Sequence, residues 1–287
     1  MRVYISVDLE GVNGICHSSH TQPGEPAYER GVQLMHNELN AVIRGAREGG
    51  ATEVVVNDSH WDMRNVRPEL LEPGTHLLTG WQKPYSMVSG IKGSGEALPL
   101  SEGNFDVAFF LGYHAKAGDQ RGVLSHTYRS QVFLDVQLNG ISVGETGINA
   151  ALAGHFGVPV GLITGDDVVC AEATALLGPL KCVTVKKALS RYAAIFRPYQ
   201  EVLDELKQAA ISTLSDRSHW KLYKSTLPAT FKITTIDPAM ADAAELLPMV
   251  RRLDGRTVEF SHEDYSVLFR LMLAIGALGA SRRDPHF

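Results

Sequence analysis

Cysteine is scarce: Cys16, Cys170 and Cys182 are the only three in 287 residues. An odd number at those spacings fits neither a disulfide framework nor a Cys-x-x-Cys metal ribbon, so a reducing, cytoplasmic setting is expected. A strong charge of one sign is also missing. Lys and Arg number 27 against 32 Asp and Glu, for a formal net charge of -5. There is no basic tail, Lys/Arg run or basic–aromatic interleaving, which argues against nucleic acid and anionic membrane surfaces as partners. Long apolar runs are absent too. The longest, YSVLFRLMLAIGALGA, is interrupted by Arg270 and falls short of the roughly 20 apolar residues that a membrane span needs. The chain enters a strand-like segment at once, without the basic, apolar and cleavage-site pattern of a secretory leader, so none is expected. Its length allows a sizeable core and two domains.

What is present is an alternation of strands and helices. RVYISV, TEVVVNDSH, DVAFFLGYHA and VPVGLITGDD read as strands, with THLLTG as a short additional one. The near-continuous apolar character of DVAFFLGYHA is expected of a strand covered on both faces. YERGVQLMHNELNAVIRGAREGG has apolar residues at helical spacing and ends on a Gly-Gly stop. TGINAALAGHFG reads as a helix closed by Gly157, and VVCAEATALLG as another. QVFLDVQLNGISVGE reads as a hairpin around Asn139-Gly140. This pattern predicts an α/β fold, a largely parallel sheet flanked by helices. From about Ser190 the character changes. The amphipathic helix YQEVLDELKQAAISTL leads into strand, helix, strand, helix in FKITTID, MADAAELLPMV, TVEF and DYSVLFRLMLAIGAL. We therefore expect residues 1–189 to form an α/β domain that carries the site, and residues 190–287 a smaller C-terminal α+β domain.

The metal-capable residues fall at strand ends. Asp8 and Glu10 follow RVYISV, His60 follows EVVV, His114 follows VAFFLGY, and Glu145 sits at the entrance of a helix. Ligand sites in parallel sheets form beyond the carboxyl ends of the strands. Two histidines and three carboxylates exceed the three protein ligands of a typical catalytic zinc. They suit two divalent ions sharing one carboxylate, roughly 3.5–4 Å apart. The set holds nitrogen and oxygen but no sulfur, which admits zinc, manganese or iron. Each residue also has a plainer role open to it. Asp8 can cap a turn with the glycines that follow, and Glu145 can be a first-turn helix acid. The remaining histidines, His17, His20, His36, His76, His155, His219, His262 and His286, read as surface or core. Asp166 and Asp167 read as helix-capping residues.

Six short motifs stand in order along the chain: SVDLEG (6–11), NDSH (57–60), KPYSMV (83–88), FLGYHA (110–115), LSHT (124–127) and VGETGINA (143–150). By these the sequence resembles the DppA-like zinc D-aminopeptidases. The resemblance implies a two-zinc centre in which Asp8 bridges both ions, Glu10 and His60 complete one shell, and His114 and Glu145 the other. His126 in LSHT matches the catalytic histidine of that family, which is not a metal ligand. The resemblance also implies a homo-oligomer of pentamer rings stacked into a decamer.

The function expected on this basis is hydrolysis of the N-terminal peptide bond of short peptides, those with D-amino acids foremost, by a water bridging the two ions. His126 would transfer a proton, stabilise an oxyanion or attack. Three further residues have two readings each. Asp58 either orients His60 or caps a turn; Lys83 either contacts substrate or is solvated; Asn149 either meets substrate or lies in the first turns of its helix. Competing functions are a two-metal amidohydrolase or phosphoesterase, and a non-catalytic peptide- or metal-binding assembly protein. No phosphate-binding glycine loop or arginine cluster lies near the motifs to favour phosphate.

Overall fold

Alternate side chains of the first strand enter different cores. In β1 (Arg2–Val7), Val3, Ile5 and Val7 join one hydrophobic cluster and Tyr4 the other, because successive strand residues point to opposite faces. The computed structural model, which describes residues 1–91 and 104–281, shows the same division across the neighbouring strands. Val54 and Val56 of β2 (Glu53–Asp58) lie on the side of Ile5, and Val55 on the side of Tyr4. Val107, Phe109 and Leu111 of β4 (Val107–Tyr113) alternate in the same way with Ala108 and Phe110.

These strands belong to a seven-stranded sheet ordered β3–β2–β1–β4–β7–β8–β9, where β3 is His76–Leu78, β7 Val160–Asp166, β8 Lys181–Ser190 and β9 Ala193–Phe196. All pairings are parallel except β8 with β9. One face is covered by α1 (Tyr28–Glu48) and α4 (Tyr199–Ser215), through Met35, Leu39 and Val42 of the first and Val202, Leu206 and Ala210 of the second. The α/β fold expected from the alternation is therefore present. On the other face lie α2 (Glu145–His155), α5 (Pro238–Glu245) and α6 (Tyr265–Ala280), together with a second, antiparallel sheet. Helix α3 (Asp167–Leu177) joins β7 to β8. The run YSVLFRLMLAIGALGA forms α6; among the described residues no helix is long and apolar enough to cross a membrane.

The second sheet is ordered β11–β12–β10–β5–β6, with β5 Phe133–Leu138, β6 Ile141–Ser142, β10 Ala229–Thr235, β11 Arg251–Arg252 and β12 Thr257–His262. It does not divide from the first sheet at residues 189 and 190. The β5–β6 hairpin precedes that line yet pairs with β10, while β9 and α4 follow it and belong with the first sheet. The hairpin turn at Asn139 and Gly140 has φ of 50° and 82°, the two positive values a two-residue type I′ turn requires.

Local signals end the helices where the sequence places their stops. After α1, the amide of Ala51 bonds the Ala46 carbonyl and that of Gly50 the Arg47 carbonyl, with Gly50 at φ 97°. After α2, Val158 and Gly157 repeat the arrangement on Ala153 and Gly154, with Gly157 at φ 83°. Both are Schellman endings, which need a left-handed residue at that point. Asp166 caps α3 by accepting the amides of Val168 (3.0 Å) and Val169 (2.9 Å). Its other oxygen accepts the Val123 amide at 2.8 Å, three residues before His126.

The loop after β1 is fixed from three sides. Gly11 lies so close to β4 that an added Cβ would sit 2.0 Å from the Tyr113 carbonyl oxygen. Lys186, buried on β8, donates to the carbonyls of Glu10 (2.6 Å), Val12 (2.9 Å) and Ile15 (2.7 Å). Glu38 on α1 is buried and accepts the Asn13 amide at 2.8 Å. Burial pushes the Glu38 carboxyl up to about 8, against the opposing pull of the Asn13 amide and the Lys186 charge. A carboxyl with a raised folded-state pKa binds its proton more tightly in the native chain. Its contribution to stability is full below the unfolded value near 4.5 and is lost as pH rises through about 8. Glu38→Gln is expected to remove that dependence. The native chain, measured by urea unfolding against Glu38→Gln, should lose at most about 4 kcal/mol of relative stability between pH 5 and 8. Parallel curves for the two chains would contradict the assignment.

Candidate metal centre

Strand order explains why residues far apart in sequence meet. β2, β1 and β4 are adjacent and parallel, so the segments leaving their carboxyl ends emerge side by side. Asp8 and Glu10 leave β1, His60 leaves β2, His114 leaves β4, and Glu145 opens α2. All are buried. Asp8 stands between two imidazoles and turns one oxygen toward each. Its Oδ1 is 3.1 Å from His60 Nδ1, and its Oδ2 is 3.5 Å from His114 Nε2. Glu10 Oε2 approaches His60 Nδ1 to 2.8 Å, and Glu145 Oε2 approaches His114 Nε2 to 3.4 Å. The five sequence-predicted ligands therefore lie together, in two imidazole–carboxylate pairs joined by Asp8.

Backbone carbonyls orient the rings. His60 Nε2 lies 2.8 Å from the Thr21 carbonyl oxygen, His114 Nδ1 3.0 Å from that of Ala115, and His126 Nδ1 2.8 Å from that of Leu124. A carbonyl only accepts, so each of these nitrogens carries the N–H. The other nitrogen of each ring is left to face the carboxylates, as in metal-ligating histidines whose distal N–H is held by an outer acceptor. Glu10 Oε2 and His114 Nε2 are buried without a hydrogen-bond partner among the described residues. The close approach of Glu10 to His60 is thus a charge contact and not a well-formed hydrogen bond.

The electrostatics call for positive charge. Burial, reinforced by Glu10, holds Asp8 well above the usual carboxylate range. Burial acts the same way on Glu10 and Glu145, but His60, His126 and His114 together outweigh it for the first, and His114, His126 and the Tyr128 amide for the second, and both are held low. Burial would lower the two imidazoles, yet Glu10 and Asp8 hold His60 well above its ordinary value, and Glu145 and Asp8 raise His114 to about 10. The carboxylates thus favour the charged form of each ring. A divalent ion displaces protons from such rings when it binds. The nitrogen and oxygen donors, the orphaned atoms and the carbonyl-oriented rings fit zinc.

His126 joins the same cluster. Its ring stacks on His114 at 4.0 Å between centroids and 11° between planes, and its Nε2 is 3.7 Å from Glu145 Oε1. His114, His126 and Glu145 form one group of converging donor atoms, and Asp8, Glu10 and His114 another. Burial and the neighbouring His114 charge push the His126 imidazole down.

The remaining predicted residues sit behind this cluster. Asp58 accepts the backbone amides of Asn65 (2.5 Å) and Val66 (2.6 Å) and the Asn65 side-chain amide (3.0 Å). Asn65 in turn donates to the His60 carbonyl at 2.7 Å. Asp58 therefore acts on the loop that presents His60, not on the ring. Lys83 donates to the Asn57 side chain and, at 2.6 Å, to the Asp58 carbonyl. Asn149 accepts from the Tyr128 hydroxyl at 2.5 Å and donates to that of Tyr113 at 3.1 Å. Of the other histidines, His36 is a satisfied core residue, bonded to the Val32 carbonyl (2.7 Å) and the Arg67 amide (2.9 Å). His286 lies outside the described residues.

Sequence reasoning passes over several supports. Tyr128 donates its amide to Glu145 Oε1 at 2.6 Å, and the Tyr113 hydroxyl lies 2.8 Å from Ser6 Oγ behind the centre. Above the cluster opens a cavity of about 840 Å³, lined by Asp8, Glu10, His60, His126 and Glu145 on one side. Its volume is within the range of small-molecule sites.

The D-aminopeptidase family model, Peptidase_M55, matches residues 1–274. The chain belongs to the D-aminopeptidase family. Membership makes it a metal-dependent hydrolase of the aminopeptidase kind. The D-aminopeptidase of Bacillus subtilis (strain 168) is 34% identical over 281 residues, 97% of each chain. A solved structure, the Zn-dependent D-aminopeptidase DppA from Bacillus subtilis, described as a self-compartmentalizing protease, superposes with a TM-score of 0.91. It shares 33% identity, and the match covers 99% of both chains. As a member of this family the chain has the expected α/β fold throughout the matched length.

Proposed function

We propose that the chain is a two-zinc aminopeptidase that cleaves the N-terminal peptide bond of short peptides carrying D-residues. One observation carries this reading: Asp8 divides its two oxygens between two imidazole–carboxylate pairs. Asp8 would bridge, with Glu10 and His60 completing one ion and His114 and Glu145 the other. Zinc there supplies a polarised carbonyl and a water acidified toward neutral pH. The chain's own groups do the rest. The free amine of the substrate would sit at this centre, which restricts cleavage to the first bond. His126, with its Nδ1 proton committed to Leu124, presents Nε2 to the cavity to accept a proton and pass it to the departing amine.

A second reading has an observation in its favour. His126 shares a donor group with His114 and Glu145, which is the placement of a ligand as much as of a proton carrier. Metal content of a His126 variant separates the two.

The relative's self-compartmentalizing character supports an oligomer for this chain. We place it in the cytoplasm as pentamer rings paired into a decamer. The test of function uses the full chain loaded with zinc. Elemental analysis should find about two ions per chain. A panel of D-Ala-D-Ala, L-Ala-L-Ala and p-nitrophenyl phosphate should show turnover of the D-dipeptide foremost. Turnover of the phosphate ester alone would favour the phosphoesterase, and binding without any turnover the non-catalytic reading.

A further inference from the structure

The cavity carries charge of both signs. Its floor holds Asp8, Glu10 and Glu145, and its walls hold Arg64, Arg129 and Arg191. Two of these arginines are already engaged. Arg64 grips Asp62 through Nε (2.9 Å) and Nη2 (2.6 Å). Arg191 donates to the Ser125 carbonyl and hydroxyl and to the Tyr192 hydroxyl. Arg129 differs. Among the described residues its guanidinium has no hydrogen bond or ion pair; it lies over the Trp81 ring, 5.2 Å from the centroid. Its stem passes α6 at Gly276, where an added Cβ would come 3.4 Å from Arg129 Cγ. The side chain is thus held by an aromatic face and a helix while its five donors remain unused.

Its position relative to the centre follows from the chain. Tyr128, the preceding residue, donates its amide to Glu145 Oε1 at 2.6 Å. Bond lengths then place the Arg129 Cα within roughly 8 Å of that ligand. An extended peptide advances about 3.3–3.6 Å per residue, so a substrate whose amine lies at the proposed metal centre brings its second or third residue to this wall. A short peptide ends there in a carboxylate, the group a guanidinium recognises best.

We propose that Arg129 binds the C-terminal carboxylate of the substrate, so that the site selects dipeptides and tripeptides with a free carboxyl end. This rests on the aminopeptidase reading and adds to it the chemistry of the far end of the substrate. Arg129 makes the site a measuring device for peptide length.

The test compares D-alanyl-D-alanine with D-alanyl-D-alanine amide on zinc-loaded full-length chains. For the native chain, kcat/KM should favour the free acid. In Arg129→Met the ratio of acid to amide should fall by roughly tenfold to a hundredfold, the loss carried by KM. Arg129→Lys should recover part of it. An unchanged ratio in Arg129→Met would overturn the proposal, as would a ratio that stays constant while the oligomeric mass shifts, which would assign Arg129 to a contact between copies. Calorimetric binding of D-alanyl-D-alanine to zinc-loaded His126→Ala chains, with and without Arg129→Met, reads the same contact with turnover suppressed. If neither peptide is hydrolysed, the aminopeptidase reading fails by itself. The carboxylate site then stands if Arg129→Met weakens binding tenfold or more, and falls if Kd is the same in both chains.

Discussion

A His114→Ala chain is expected to lose its bound zinc and, with it, at least roughly a thousandfold of turnover. His114 is the member common to both groups of converging donors. Its Nε2 faces Asp8 on one side and Glu145 on the other. Removing the ring takes away a ligand, strips Glu145 of its positive neighbour and leaves Asp8 with only one of its two imidazoles. His60→Ala should act in the same direction through Glu10 and the other Asp8 oxygen. Elemental analysis of purified protein, with circular dichroism to establish folding, reads the outcome. Zinc stoichiometry equal to that of the native chain in both variants would remove the proposed centre.

His126→Ala is expected to keep its zinc and lose turnover by about 10²–10⁴-fold, the scale of a positioned proton-transfer group. The two expectations differ in kind, although His114 and His126 stack ring on ring. The difference lies in what each free nitrogen faces. His114 Nε2 is buried between two carboxylates, whereas His126 lines the cavity and approaches Glu145 only at 3.7 Å, on the oxygen already bonded to the Tyr128 amide. Zinc loss in His126→Ala equal to that in His114→Ala would recast His126 as a ligand. Full activity would leave it with neither role.

Much of this site is legible in the sequence because strand ends carry the relevant side chains. Asp8, His60 and His114 each follow an apolar run, and the hairpin at Asn139-Gly140 and the stop at Gly157 bracket Glu145. The carbonyls of Thr21, Ala115 and Leu124 that orient the imidazoles leave no such mark, since any residue type supplies a carbonyl. The β8–β9 hairpin is hidden for a different reason. Lys181, Lys186 and Lys187 break its apolar pattern, and Lys186 is buried only because three carbonyls of the β1 loop surround its ammonium. The strands of the second sheet are legible one by one, in the hairpin around Asn139-Gly140, FKITTID and TVEF, but their pairing is silent, because Gln137 pairs with Lys232 across a long stretch of chain and neither residue's neighbours signal the other.

Glu145 begins α2 a few residues beyond β6, the edge of the antiparallel sheet, whereas Asp8, His60 and His114 leave the parallel one. The proposed pair of ions, joined through Asp8, would rivet two layers whose strands make no ladder with each other. Metal supply then governs durability as well as chemistry, since binding free energy adds directly to that of the folded state. In a zinc-poor cell the empty chains would be the first to be cleared by proteolysis, and the pool that survives would be the pool equipped to work.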